Sequence, residues 1–109
     1  MPTTYKVLGQ VNPSATTATT LYTTPSATQT VVSTISVCNQ ASTAATFRIA
    51  VRPAGASLAA QHYVVYGATV PASDSTMITV GLTLATTDVV TVYASSANLS
   101  FNAYGSEIA

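Results

Sequence analysis

The feature that most constrains the fold of this chain is a two-residue alternation of apolar and polar side chains. It is clearest in residues 45–53, where Phe47, Ile49 and Val51 alternate with small or polar residues. Successive side chains of a β-strand point to opposite faces of a sheet, so this period predicts a strand with one buried face. The same alternation recurs in three other segments: 29–39, 88–94 and 98–104. We expect the apolar rows of these four strands to form the core: Val31, Ile35, Val37, Phe47, Ile49, Val51, Val90, Val92, Leu99 and Phe101.

Weaker strands are predicted where β-branched and aromatic residues cluster, in residues 4–11, 19–24, 61–66 and 75–84. Pro, Gly, Asn and Asp residues between the segments predict turns, and residues 55–61 offer one helical turn. About eight short strands at this spacing are typical of a sandwich or barrel. We therefore predict one all-β domain over residues 1–109, an antiparallel β-sandwich, with residues 1–6 as an extended N-terminal arm.

The composition excludes several classes of protein. Disordered chains combine low hydrophobicity with high net charge, whereas this chain is 48% apolar and formally neutral. Three basic residues are too few for the positive surface that binds nucleic acid or anionic membranes. No apolar run is long enough for a transmembrane helix, and the N-terminus does not resemble a signal peptide. A neutral surface gives little repulsion between copies, which indicates a subunit that assembles.

The residues that carry most enzyme chemistry are scarce and scattered. His62 is the single histidine, Cys38 the single cysteine, and the three acids are Asp74, Asp88 and Glu107. No nucleophile elbow, phosphate loop or metal-ligand spacing is present. Asp in turn contexts usually bonds its local backbone, although a calcium site at Asp74 or Asp88 stays open as an alternative. We expect a non-enzymatic protein that has no cofactor and no metal, with a hydrolase built around His62 as the least favoured reading.

Two arginines lie on one face of the strand at 45–53, opposite its apolar row. The ordinary interpretation of Arg48 and Arg52 is a solvated outer face with their stems lying over neighbouring residues. The functional interpretation is a subunit contact, in which they pair with Asp74, Asp88 or Glu107 of another copy. Such pairs would fix the register of the contact more than they would stabilise it.

Four tyrosines are candidates for a sugar-binding platform: Tyr63, Tyr66, Tyr93 and Tyr104. Exposed aromatic rings are the surfaces on which sugars stack. The alternative is that these rings pack in the core with their hydroxyl groups hydrogen-bonded.

Several stretches of the chain carry a family resemblance: 21–28, 31–39, 45–52, 61–63, 88–95 and 106–108. In them the chain resembles small all-β virion structural proteins of tailed bacteriophages, notably those of cyanobacterial phages. The resemblance covers most of the chain and is one of strand and turn pattern. It implies a jelly-roll-like sandwich that decorates capsids or forms part of a tail or fibre, and it carries no catalytic residues.

The resemblance implies a role in a virus particle. We expect a capsid decoration or cement subunit, because a fibre usually has a coiled coil or shaft repeats and none occur here. The alternatives are a tail, neck or fibre-base component, or a carbohydrate-binding host-adhesion module. The expected partners are copies of itself, with a trimer favoured, and other virion proteins such as the major capsid or tail proteins. Assembly in the host cytoplasm and residence in the virion follow from this role. Residues 1–6 would add a strand to a neighbour's sheet.

Overall fold

The computed structural model describes residues 2–109 and consists of eight β-strands joined by turns. The strands are β1 Thr3–Val11, β2 Thr19–Thr23, β3 Gln29–Asn39, β4 Ala45–Arg52, β5 Tyr63–Val70, β6 Ser75–Leu84, β7 Val89–Ala94 and β8 Leu99–Ile108. Two short 3₁₀ turns, Pro53–Gly55 and Ala60–His62, lie between β4 and β5, where the sequence predicted one helical turn. The all-β prediction is confirmed, as is the number of strands.

The strands form two four-stranded antiparallel sheets with the order of a jelly roll. Sheet A runs β1-β8-β3-β6 and sheet B runs β2-β7-β4-β5. The first strand pairs with the eighth, the second with the seventh, the third with the sixth and the fourth with the fifth. This is the pairing of one long hairpin wrapped into two layers, and the pairs β3–β8 and β4–β7 complete sheet A and sheet B respectively. The predicted jelly-roll-like sandwich is therefore confirmed.

The core lies between the two sheets. Phe47 of sheet B meets Phe101 of sheet A edge to face, with ring centroids 6.0 Å apart. All the predicted core residues are buried except Val31 and Val51. The core also contains residues from the strands that the sequence indicated more weakly, including Leu8, Leu21, Tyr22, Val70 and Leu84.

The prediction that Val31 is a core residue is wrong, and a β-bulge explains why. The register of β3 shifts between Val32 and Thr34 in both of its pairings: Ser33 is an extra residue against β8, and it lies opposite Val80 and Gly81 of β6. The shift reverses the alternation: Val32 is buried before the bulge and Ile35 after it. Val31 consequently lies on the outer face. Val51, near the end of β4, is only partly buried but still packs against the core.

Residues 3–6 of the predicted N-terminal arm are extended, but they pair within the same chain and not with a neighbour; Met1 lies outside the described residues. Thr3 pairs with Ile108 and Lys6 with Gly105, so the segment forms the start of β1. The outer edge of β1 has no partner strand among residues 2–109. No helix in the described part of the chain is long and apolar enough to cross a membrane.

Candidate functional site

The single histidine and the two aspartates, which have catalytic potential, accept hydrogen bonds from the backbone of turns and loops. His62 ends a 3₁₀ turn, and its Nδ1 accepts a hydrogen bond from the backbone N–H of Ala59 at 3.1 Å. Asp88 accepts the N–H groups of Ala54 and Ala85, each at 2.9 Å, and so connects two loops. The Asp74 carboxylate accepts the backbone N–H of Ser75. The predicted turn role of both aspartates is confirmed. No group of three His, Cys, Asp or Glu side chains within residues 2–109 comes close enough to hold a metal ion.

The third acid, Glu107, belongs to a polar cluster that runs from the buried Tyr22 and Thr30 to the exposed Lys6. Its Oε2 accepts a hydrogen bond from the Tyr22 hydroxyl at 2.5 Å, and its Oε1 pairs with Lys6 Nζ at 3.2 Å. The Tyr22 hydroxyl also contacts Thr30 Oγ1 at 2.8 Å. The Tyr22 hydrogen bond, helped by Lys6, holds the pKa of Glu107 below its ordinary value. Burial, reinforced by Glu107, raises the pKa of Tyr22 to about 12. The cluster ties β1 and β8 to β2 and β3.

Arg52 has partners within its own sheet. Its Nε donates to Thr91 Oγ1 at 3.0 Å, and its Nη1 donates to the carbonyl oxygen of Ala56 at 3.1 Å. The side chain thus lies across β7 and reaches the loop after β4. Thr91 and Ala50 are buried although they belong to the outer face of sheet B.

Arg48 is held by aromatic rings instead. Its guanidinium carbon lies 4.3 Å from the ring centroid of Tyr66 and 4.3 Å from that of Tyr93. Register explains the arrangement, because Arg48 pairs with Tyr66 of β5 on one side and with Tyr93 of β7 on the other. Within residues 2–109 the Arg48 guanidinium makes no hydrogen bond to another group and no ion pair. The prediction that the arginines contact another subunit stays a prediction.

The structure brings together three of the four candidate tyrosines. Tyr63 contacts Tyr66 edge to face, with ring centroids 4.9 Å apart. Arg48 lies between Tyr66 and Tyr93 and contacts both rings. None of these rings belongs to the core cluster, so the core-packing alternative does not hold for them. Tyr104 lies on β8 of sheet A and is not part of this group. We call the group of Tyr63, Tyr66, Arg48 and Tyr93 the aromatic row.

An open cleft of about 600 Å³ adjoins the aromatic row. It is lined by Leu58, Ala59, Ala60, Tyr63 and Tyr66, from the connection between β4 and β5 and from β5 itself. Tyr66 is 65% exposed and forms the boundary between the cleft and Arg48. The site therefore offers aromatic surface, a cation and a recess beside each other.

The outer face of sheet A has a different character. Its exposed apolar side chains are Tyr5, Val7, Met77 and Tyr104. Its remaining side chains are mainly Ser, Thr, Asn and Gln, since the alternation in sheet A turns Lys6 and Glu107 inward to the Tyr22 cluster. Lys6 and Glu107 are the only charged residues of β1, β3, β6 and β8, so this face carries no charged side chain.

The members of the aromatic row were predicted separately from the sequence, the three tyrosines as a sugar platform and Arg48 as a subunit contact, but it was not predicted that they lie together. Arg48 and Tyr93 are far apart in the sequence, and their contact depends on the register of β4 with β7, so no short sequence pattern indicates it. The alternation within β4 places Arg48 on the face opposite to that of Phe47 and Ile49, so the outward position of Arg48 could be predicted. Its tyrosine neighbours come from other strands and could not. Comparison of the chain with protein-family models and with curated proteins found no match.

Proposed function

We propose that this chain is a non-enzymatic structural subunit of a bacteriophage particle, most specifically a capsid decoration or cement protein. The observation that supports the proposal is the uncharged outer face of sheet A in a small jelly-roll domain. Such a face can be covered by a neighbour without the cost of removing charges from water. The phage assignment itself comes from the sequence resemblance.

The size of the face suits a subunit contact. Four strands about 4.8 Å apart and about ten residues long at ~3.3 Å per residue give a surface on the order of 600 Å². Standard interfaces bury about 800 Å² on each partner. The face of sheet A supplies most of that area, and contacts along its edges supply the remainder.

The edge of sheet A offers a second means of attachment. The unpaired N–H and C=O groups along the outer edge of β1 are available to a strand of another subunit. Backbone pairing needs no charge, which agrees with the scarcity of charged residues. The proposal includes assembly with copies of the chain, with a trimer as the favoured form, and contact with a major capsid or tail protein.

The test is whether the protein is present in purified particles and rebinds through sheet A. Val7 of sheet A and Val64 of sheet B are 47% and 48% exposed, so Val7→Lys and Val64→Lys form a matched pair. We expect particles stripped of the protein to rebind wild type and Val64→Lys, and to rebind Val7→Lys at least tenfold more weakly. Absence from particles, or equal rebinding of the two variants, would contradict the proposal. Attachment at the tail, neck or fibre base would replace the capsid role.

A further inference from the structure

We propose that the outer face of sheet B binds a carboxylate-bearing oligosaccharide, with the carboxylate of one sugar at Arg48 and the ring of a neighbouring sugar against the face of Tyr66 that Arg48 does not cover. The site is the aromatic row together with the adjoining cleft. The inference concerns the face opposite the one used in the proposed particle contact, so it stands or falls independently of that function.

Arg48 is oriented by its rings and keeps its hydrogen-bonding capacity. The guanidinium carbon lies 4.3 Å from the ring centroids of Tyr66 and Tyr93, which belong to the strands on either side of Arg48. The N–H groups of a guanidinium lie in its plane, and a carboxylate can accept two parallel hydrogen bonds from them. No acceptor within residues 2–109 takes these hydrogen bonds from Arg48. Arg52, by contrast, already donates to Thr91 and to the loop after β4.

The charge around the site favours an anion. The strands of sheet B contain Arg48 and Arg52 and no acidic residue. Asp88 uses both carboxylate oxygens on backbone N–H groups, and Glu107 is paired with Lys6. Among residues 2–109 no acid is therefore hydrogen-bonded to Arg48, and a ligand carboxylate would find no competing partner.

The cleft favours a sugar over other anions. Its volume of about 600 Å³ lies in the range of small-molecule sites. Ala59 and Ala60 leave room beside the exposed ring of Tyr66, on which the apolar face of a pyranose can stack. The tyrosine hydroxyls offer hydrogen bonds to sugar hydroxyls. Two arginines are too few to hold a nucleic acid backbone, and Leu58 is the only large aliphatic side chain in the lining to anchor a peptide.

The test is calorimetric titration of the purified chain with charged and uncharged forms of the same sugars. The probes are tetragalacturonate and its methyl ester, and sialyllactose and lactose. We expect at least one acidic probe to bind at least tenfold more tightly than its uncharged match. Arg48→Gln and Tyr66→Ala should each weaken that binding at least tenfold. Arg52→Gln, which removes the same charge, and Tyr104→Ala, on the other sheet, should change it less than twofold.

Several results would overturn the inference. These are no binding of either acidic probe at millimolar concentration, equal binding of acid and uncharged match, or an equal loss in Arg48→Gln and Arg52→Gln. Tighter binding of oligoglutamate or of single-stranded oligonucleotide than of either acidic sugar would also overturn it. Tyr66→Phe keeps the ring and should retain binding within about threefold. Thermal unfolding of Tyr66→Phe and Tyr66→Ala shows whether either variant is misfolded, so that a loss of binding through misfolding is recognised.

Discussion

At the scale of single residues, the few charged side chains of this protein have distinct uses. Lys6 and Glu107 form a partly exposed ion pair, and Asp88 connects loops through backbone N–H groups. Arg52 is tied to Thr91, whereas Arg48 is stacked on rings with its donors free. A charge count from the sequence gives the same zero net charge but cannot separate these roles, since each depends on a residue far away in the chain.

Glu107 should make the stability of the protein fall in acid. Its pKa in the folded state is below its ordinary value of 4.5, so its contribution is complete above that pH and is lost as the pH falls through the folded value. Glu107→Gln should cost about 1–2 kcal/mol at pH 7, because it weakens a hydrogen bond and removes the ion pair with Lys6. Urea unfolding between pH 3 and pH 7 measures this. A wild-type advantage that stays constant over the range would contradict the account.

Tyr22 should make the stability of the protein fall at high pH. Because its pKa is raised from 10.0 to about 12, the unfolded chain ionises first and stability falls as the pH rises over that interval. Tyr22→Phe should lower the free energy of unfolding at pH 7 by about 1–2 kcal/mol, since the phenol bonds Glu107 and Thr30. It should also flatten the alkaline loss relative to wild type. The same alkaline slope in both proteins would show that Tyr22 is not its source.

At the scale of strands, most elements could be predicted because apolar and polar residues alternate visibly along the sequence. The predictions were wrong where a bulge or a glycine interrupts this alternation. β5 was predicted to end at Tyr66 but continues to Val70. Gly67, at φ +77°, is an extra residue in the pairing of β5 with β4, and its turn-like composition marks a bulge here. Gly105 interrupts the apolar alternation of β8 but is paired on both sides, and the strand continues to Ile108. A bulge leaves no sequence signal distinct from that of a turn.

Gly105 is required by the close approach of β8 to β3. A Cβ at this position would overlap the carbonyl oxygen of Val31, just before the bulge in β3. Gly105→Ala should therefore lower the free energy of unfolding by about 2 kcal/mol or more, because the backbone has to move apart. Ser106→Ala, on the next residue, should change it by less than about 0.5 kcal/mol. Chemical denaturation of both variants checks the difference, and equal stability would mean that the strands separate without cost.

At the scale of the whole molecule, the two outer faces divide the chemistry. Sheet A presents Ser, Thr and a few apolar side chains without charge, and sheet B presents both arginines with three tyrosine rings. The sequence predicted the sandwich and the outward position of Arg48 and Arg52. It could not predict which tyrosines join them, because the partition of Tyr63, Tyr66 and Tyr93 from Tyr104 follows from strand order.

Self-association through sheet A should be insensitive to salt. At 1 M ionic strength the Debye length is about 3 Å, so attraction between exposed charges is strongly screened, whereas apolar and backbone contacts are not weakened in this way. Sedimentation velocity at 0.1 M and 1 M NaCl should therefore give the same oligomer, and Val7→Lys should shift it toward monomer. Dissociation of the wild type in 1 M NaCl would instead indicate that charged groups such as Arg48 hold the subunits together.

The most direct measurement of the central claim is a cryo-EM map of purified particles that contain this protein. We predict jelly-roll density at regular positions on the capsid, with the outer face of sheet A and the edge of β1 against neighbouring subunits and the aromatic row facing solvent. Particles that lack the protein, or density in which the outer face of sheet A is fully exposed, would contradict the claim.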